Sequence, residues 1–231
     1  MKLIAIETSE RVGSLCALSI ESGDGPGGEP VAIPASLPAG VRSAQSLAPC
    51  LKELIEKTSW PLAELDAVAV SSGPGSFTGL RIGVTAAKML AYAAGCGVVE
   101  VNTLHAIAAQ SGGAGGPGWV VMDAQRNELF AAPVDADGAC GEVAVLPASK
   151  WLSELSPGVW VSGPVVRKLR SELPQGVSVA EESSWAPQAE TIARLAAPRV
   201  AAGELAAATE VLPRYFRLSA AEEKRLGQGA P

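Results

Sequence analysis

The segment SSGPGSFTGLRIG, residues 71–83, joins an apolar run to an alanine-rich run and contains four glycines. A glycine-rich turn between a strand and a helix often binds phosphate. The Walker A loop is absent, because no glycine precedes a Lys-Ser or Lys-Thr pair. The GxGxxG dinucleotide pattern is also absent, because Gly73 and Gly75 supply its first two glycines but Thr78 occupies the third position. The glycines are therefore interpreted as room for a tight turn and for close packing of the following helix.

That helix is predicted from about residue 78 to residue 94, with Gly95 ending it. Its polar or amphipathic positions, Arg81, Thr85, Lys88 and Tyr92, form one narrow stripe at spacings of four, three and four. A helix lying on a single sheet exposes a wider polar face, so this one is expected to be covered on two sides. The second cover is either the helix predicted at residues 46–57 or another subunit, and the spacing leaves both open.

Outward from this segment, each half of the chain gives the order β-β-β-α-β-α-β-α. The glycine-rich run at residues 111–118 separates the halves. This order predicts an α/β fold of two tandem ribonuclease-H-like lobes with mixed five-stranded sheets and helices, as in the actin, Hsp70 and sugar-kinase superfamily. Residues 1–110 are assigned to the N-terminal lobe and residues 111–231 to the C-terminal lobe, whose last segment is expected to pack back on the first.

Composition limits the classes of function. The 231 residues carry a net charge of −6, and their 18 lysines and arginines are scattered, which disfavours nucleic-acid binding by the chain alone. A basic patch formed by folding stays open. Four widely separated cysteines and the lack of a long apolar run predict a cytoplasmic protein that does not cross a membrane.

Two stretches resemble the bacterial TsaB family, also called YeaZ. They are IAIETSERVGSLCAL at residues 4–18 and AVAVSSGPGSFTGLRIGVTAAKMLAYAAGCGVVEVNTLHAIA at residues 67–108. Residues 73–83 match the family's GPGSFTGLRIG block at every position. The resemblance continues more weakly through VVMDAQRNELFAA and LPRYFRL, and so covers most of the chain.

The resemblance implies a function. TsaB proteins take part in forming threonylcarbamoyladenosine beside the anticodon of ANN-reading tRNAs, and are regarded as non-catalytic. They bind a catalytic paralogue, TsaD, and an ATPase, TsaE, and can form homodimers; ATP and metal belong to those partners, and tRNA is contacted only through the complex. The resemblance therefore implies a scaffold subunit with no cofactor or metal of its own.

The same resemblance implies two groups of site residues. Pairing through the N-terminal helices assigns the partner surface to Leu47, Leu51, Leu54, Leu80, Val84, Ala87 and Ala91, with Arg81 and Lys88 at its rim. A remnant phosphate contact of the ancestral cleft is assigned to Glu7, Thr8, Ser9 and Ser14. Glu7 replaces the Asp usual in the family, which makes nucleotide binding there less favourable.

An alternative is a stand-alone actin-like ATPase or small-molecule kinase, for which Glu7 and Asp123 would be the strand-end acids. Catalytic relatives hold a metal through two histidines four residues apart. This chain has one histidine, His105, and cannot build that pair. The residues therefore favour the scaffold, with no catalytic residue assigned.

Overall fold

The computed structural model describes residues 1–21, 29–112 and 115–217. Its ten strands are β1 (Lys2–Glu7), β2 (Ser14–Ser19), β3 (Val31–Ser36), β4 (Ala67–Gly73), β5 (Gly97–Asn102), β6 (Gly118–Asp123), β7 (Glu128–Val134), β8 (Ala144–Pro147), β9 (Trp160–Ser162) and β10 (Ser178–Val179). Its six α-helices are α1 (Ser43–Thr58), α2 (Phe77–Ala94), α3 (Thr103–Gln110), α4 (Ala148–Glu154), α5 (Val166–Leu169) and α6 (Ala189–Ala201). None of these helices is long and apolar enough to span a membrane.

The strands form two sheets of the same design. The first has the order β3-β2-β1-β4-β5 and the second the order β8-β7-β6-β9-β10. In each, the first three strands are antiparallel, and the last two lie parallel to the first strand of the lobe. The predicted fold class, two tandem lobes with mixed five-stranded sheets, is confirmed.

The segment at residues 71–83 and its flanking elements form the strand, turn and helix that the sequence predicts. Strand β4 is buried along its whole length, in keeping with its run of small and β-branched residues. The Ser76 side chain then accepts a hydrogen bond from the Gly79 N–H and caps α2. Gly95 ends the helix in the left-handed conformation at φ 73°, which an L-residue adopts only with strain. The predicted bounds of this helix are confirmed to within one residue.

The lobes exchange their last helices. Leu104 and Ile107 of α3, which follows the first sheet, pack in the core of the second sheet. Ile192 and Ala196 of α6, which follows the second sheet, pack on β1 and β2 of the first. A division after residue 110 therefore separates the strands but not the helices that cover them. As a boundary between folding units it stays a prediction.

Helix α2 has two covers besides its own sheet. One is α1, which packs beside it in the same core cluster. The other is the C-terminal segment: Lys88 donates hydrogen bonds to the carbonyls of Thr209 and Val211, and Val211 is buried in the N-lobe core. The apolar surface of α2 is therefore largely covered within the chain, by a segment that helical spacing alone does not reveal. The rest of the predicted C-terminal segment, residues 218–231, lies outside the described residues.

Candidate functional site: the cleft between the lobes

The glycines of residues 73–83 are explained by the turn after β1. A Cβ on Gly79 would overlap the Thr8 carbonyl oxygen, one on Gly83 would overlap the Thr8 hydroxyl, and one on Gly75 would overlap Ser9. Ser76 also donates its backbone N–H to the Ser9 carbonyl at 2.7 Å. The glycines thus let α2 close onto residues 8 and 9.

The predicted phosphate contacts already have partners within the chain. The Thr8 hydroxyl donates to the Gly79 carbonyl at 2.8 Å, and the Ser9 hydroxyl donates to Glu7 Oε1 at 2.6 Å. Ser14 Oγ accepts a hydrogen bond from the Ala189 N–H at 2.9 Å, at the start of α6. A phosphate role for these residues stays a prediction, and a ligand would have to displace these bonds.

Glu7 is completely buried at the end of β1. Its Oε1 accepts hydrogen bonds from the Ser9 N–H and hydroxyl, whereas neither Oε2 nor the nearby Ser71 hydroxyl has a hydrogen-bond partner of acceptable geometry. Burial raises the pKa of Glu7 to about 7, against the lowering effect of Ser71 and Ser9. The group is therefore a carboxyl that is partly protonated near neutral pH.

A cleft of about 1100 Å³ opens between the two lobes. The N-terminal lobe contributes the turn at residues 9–11 and the start of α2 at residues 74–77. The C-terminal lobe contributes residues 122–126 and 164–168, and the C-terminal segment contributes residues 214–217. Five chain segments that are distant in sequence therefore meet at one concave surface.

The C-lobe side of this cleft is an exposed, polar turn. Gln125, Arg126 and Asn127 adopt φ of 67°, 54° and 60°, an uncommon run of left-handed residues without glycine. Asp123 accepts a hydrogen bond from the Gln125 N–H at 2.8 Å and one from Lys168 at 2.7 Å. Partial burial alone would raise the pKa of Asp123, but these two donors outweigh it and lower the pKa below its usual value.

The C-terminal segment crosses the cleft and contacts both lobes. On the N-lobe side, Tyr215 stacks on Phe77 with ring centroids 4.4 Å apart, and its hydroxyl accepts from Arg81 Nε at 2.8 Å. On the C-lobe side, Phe216 meets Phe130 edge to face, and Arg217 pairs with Glu128 at 2.8 Å. Tyr215, Phe216 and Arg217 had no predicted role, although LPRYFRL was among the stretches carrying the family resemblance.

The predicted partner surface is placed differently by the structure. Six of its seven apolar residues lie in the core of the N-terminal lobe, namely Leu47, Leu54, Leu80, Val84, Ala87 and Ala91. Leu51 is half-buried against the same core, and Arg81 and Lys88 bind the C-terminal segment. Helical spacing identified an apolar face correctly but could not tell which neighbour covers it. Pairing through these helices stays a prediction, and it would have to use their outer faces.

Metal-binding residues are not brought together. His105 lies on an exposed position of α3, and no group of three or more His, Cys, Asp or Glu side chains within residues 1–21, 29–112 and 115–217 is arranged to hold a metal ion.

Known proteins match most of this chain. A family model described as TsaD, tRNA N6-adenosine threonylcarbamoyltransferase, matches residues 38–211. The chain belongs to this family. The match spans both lobes and includes the GPGSFTGLRIG block, the exchanged helices and most of the cleft lining.

Within the TsaD family the similarity includes proteins named TsaB, which confirms the resemblance. The Escherichia coli tRNA threonylcarbamoyladenosine biosynthesis protein TsaB is 27% identical over 196 residues, 80% of this chain and 84% of that protein. An uncharacterized protein of Mycobacterium tuberculosis is 39% identical over 87 residues, 38% of this chain and 40% of that protein. The match therefore spans less than half the length of this mycobacterial relative.

A solved structure shares the whole architecture. YeaZ from Pseudomonas aeruginosa superimposes with a TM-score of 0.72 at 26% identity, covering 93% of this chain and 99% of that one. The two-lobed arrangement around the cleft is thus that of a YeaZ protein.

Proposed function

We propose that this chain is a non-catalytic scaffold and activator subunit of the complex that transfers threonylcarbamoyl to N6 of the adenosine beside the anticodon in ANN-reading tRNAs. Its partners would be a catalytic paralogue like TsaD and an ATPase like TsaE. The chain would form a homodimer in isolation. The observation that carries the proposal is the histidine count: the chain contains one histidine, His105, where a catalytic relative needs a metal-binding pair.

The cleft supports a role without chemistry of its own. Its buried acid, Glu7, has one oxygen engaged by Ser9 and a pKa raised to about 7 by burial, so it is a poor ligand for a divalent cation. The glycine-rich turn packs closely on Thr8 and Ser9, whose hydroxyls already have partners within the chain. Nucleotide and metal are accordingly assigned to the partner subunits.

The outer face of α2 is the candidate surface for the partner. Met89 is 68% exposed and Tyr92 is 85% exposed, and they lie three residues apart on the same face of the helix. Exposed aromatic and methionine side chains are enriched where proteins bind one another. This exposed face belongs to one of the two helices of the predicted partner surface.

Gel filtration of the purified chain with its TsaD-like partner, the TsaE-like ATPase and nucleotide tests the assembly. We expect co-elution, and we expect the double variant Met89→Asp, Tyr92→Asp to weaken it by roughly 30-fold or more, the range of hot-spot residues. Ala144→Asp, on the exposed edge strand β8 of the other lobe, is the matched control and should co-elute normally.

Two results would contradict the proposal. One is separate elution of the wild-type chain and its partners. The other is formation of threonylcarbamoyladenosine in tRNA by this chain and the donor alone, because a non-catalytic subunit has no activity without its paralogue.

A further inference from the structure

Six of the 18 basic side chains line the cleft between the lobes, on a chain whose net charge is −6. They are Arg11, Arg126, Arg167, Lys168, Arg214 and Arg217. Two carboxylates, Glu10 and Asp123, line the same surface. Folding therefore gathers scattered cations from four chain regions into one patch, the arrangement that composition had left open.

The carboxylate partners of these cations lie at the protein surface, where a phosphate can replace them. Lys168 pairs with Asp123, Arg167 with Glu182, Arg217 with Glu128, and Arg214 with Glu100. Arg11 is exposed and forms no ion pair with any described residue. Ion pairs at an exposed surface are weak, so a phosphate can replace a carboxylate partner at little cost.

The placement of the cations favours an extended polyanion over a compact phosphate. The start of α2 packs closely on residues 8 and 9, and no basic side chain among residues 74–77 lines the cleft there. The cations instead lie around the rim, on the turns at residues 9–11 and 122–126, on α5, and on the C-terminal segment.

An aromatic ring lies beside these cations. Tyr215 is 42% exposed, and its ring is held in place by stacking on Phe77 and by the hydrogen bond from Arg81. A fixed, partly exposed aromatic ring next to a cationic groove is the arrangement on which unpaired bases stack. Double-stranded nucleic acid offers no such base, whereas a loop does.

We propose that the rim of this cleft binds the sugar-phosphate backbone of a looped, single-stranded RNA segment, with Tyr215 as a stacking platform for one base. The inference rests on the proposed function, because RNA is the substrate class of that complex. It adds that this chain, and not only its catalytic partner, supplies part of the RNA contact. The intrinsic affinity is weak at physiological salt, because the whole chain is acidic.

The test is fluorescence anisotropy of a labelled RNA stem-loop titrated with the full-length chain alone at low salt. Each phosphate neutralised on a single strand contributes about −0.7 to the slope of log K against log salt, so full use of the six cations gives a slope of about −4. Arg11→Glu should weaken binding about fivefold or more and make the slope shallower by about 1. Tyr215→Leu should weaken binding of the loop while leaving the salt slope unchanged.

Arg170→Glu is the matched control, because Arg170 is exposed just beyond α5 and does not line the cleft. It makes the same charge change and should leave affinity within about twofold. Thermal unfolding of each variant verifies that it is folded. Equal weakening by Arg11→Glu and Arg170→Glu would overturn the proposal, as would absence of RNA binding by the wild-type chain. Displacement of the RNA by an equimolar mononucleotide would overturn it in favour of a small-molecule site.

These outcomes are separate from those of the proposed function. The binding measurement uses the chain alone, whereas the proposed function depends on co-elution with the partners. A chain that co-elutes but binds no RNA loses only the RNA contact, and a chain that binds RNA but does not co-elute loses only the scaffold role.

Discussion

The two lobes have the same strand order, but the turn after the first strand is buried in one lobe and exposed in the other. In the N-terminal lobe, residues 7–9 after β1 are buried beneath the start of α2. In the C-terminal lobe, the corresponding turn after β6 is open to solvent at residues 125–127. The end of the first strand is therefore buried in the N-terminal lobe and exposed to the cleft in the C-terminal lobe.

The difference comes from the residues on the C-terminal side of a Gly-Pro pair. Gly73-Pro74 ends β4, and Gly163-Pro164 comes after β9 at the same place in the second sheet. After the first pair, glycines at one-turn spacing let an 18-residue helix approach the turn at residues 8 and 9. After the second pair come Val165 and Val166, and the helix α5 is four residues long. That short helix lies beside the turn after β6, where Lys168 pairs with Asp123, and residues 125–127 remain exposed.

The two strand-end acids, Glu7 and Asp123, differ in burial, and their pKa values are shifted in opposite directions. Burial raises the pKa of Glu7 to about 7, whereas the donors around half-exposed Asp123 lower its pKa. Homologous positions in one chain thus hold a partly protonated acid and an ionised one. Packing by the following helix, and not the type of acid, decides which form is present.

The largest expected change in unfolding free energy comes from disrupting the contact between α2 and the turn after β1. Gly79→Ala would normally stabilise a helix interior by up to about 1 kcal/mol. Here the added Cβ overlaps the Thr8 carbonyl, a backbone atom that cannot rotate away, so we expect a loss of about 3 kcal/mol or more in unfolding free energy. Urea unfolding measures it, with Gly112→Ala as control, since no atom lies closer than 3.4 Å to that Cβ. Equal stability of the two variants would show that α2 is not in close contact with the turn.

The next effect is the pH dependence caused by Glu7. Its folded pKa of about 7 lies above the unfolded value of 4.5, so the folded state holds an extra proton between these values. Stability contributed by this group is therefore present below pH 4.5 and lost as pH rises to about 7. Above pH 7, Glu7→Gln should be more stable than the wild type by about 3 kcal/mol, and below pH 4.5 the two should converge.

Urea unfolding across this pH range measures the difference between the two proteins. Burial also raises the pKa of Glu10, but that contribution is common to both proteins and cancels in the comparison. Parallel stability curves would contradict the assignment of the raised pKa to Glu7.

A smaller effect is expected from the segment that joins the two lobes. Val211 is fully buried in the N-lobe core, so Val211→Ala should cost about 2 kcal/mol. The neighbouring Leu212 is 65% exposed, and Leu212→Ala should change stability by less than about 0.5 kcal/mol. Chemical unfolding of the pair checks the contrast, and a larger loss for Leu212→Ala would mean that the segment does not dock as described.

The smallest effect is expected at the open turn of the C-terminal lobe. Asp123→Asn removes a half-exposed ion pair with Lys168 and should cost no more than about 1 kcal/mol. Because its pKa is lowered, the stability it contributes is present above the unfolded pKa and disappears as pH falls through the folded value, opposite to Glu7. A double-mutant cycle with Lys168→Met measures the coupling. A coupling as large as the Glu7 effect would remove the distinction between the lobes.

Sequence pattern predicted the duplicated fold well, because each element is fixed by local features. The buried run of β4, the Ser76 cap and Gly95 specify one strand, one turn and one helix without reference to the rest of the chain. The pattern did not reveal that most residues of the predicted partner surface are buried within the chain. Val84 and Ala87 form an apolar face in the sequence, but burial by α1 and by the C-terminal segment depends on contacts between distant residues.

Residue patterns alone show that the segment at residues 73–83 is not a standard phosphate loop, that the chain has two similar halves, and that no histidine pair exists. What the glycines contact, which acid is buried and where the scattered cations meet follow from the folded arrangement of the lobes. These two groups of features differ in how far along the chain the responsible interactions extend. Caps, turns and periodicity act over a few residues, whereas desolvation and charge clustering depend on side chains that are brought together only when the lobes fold.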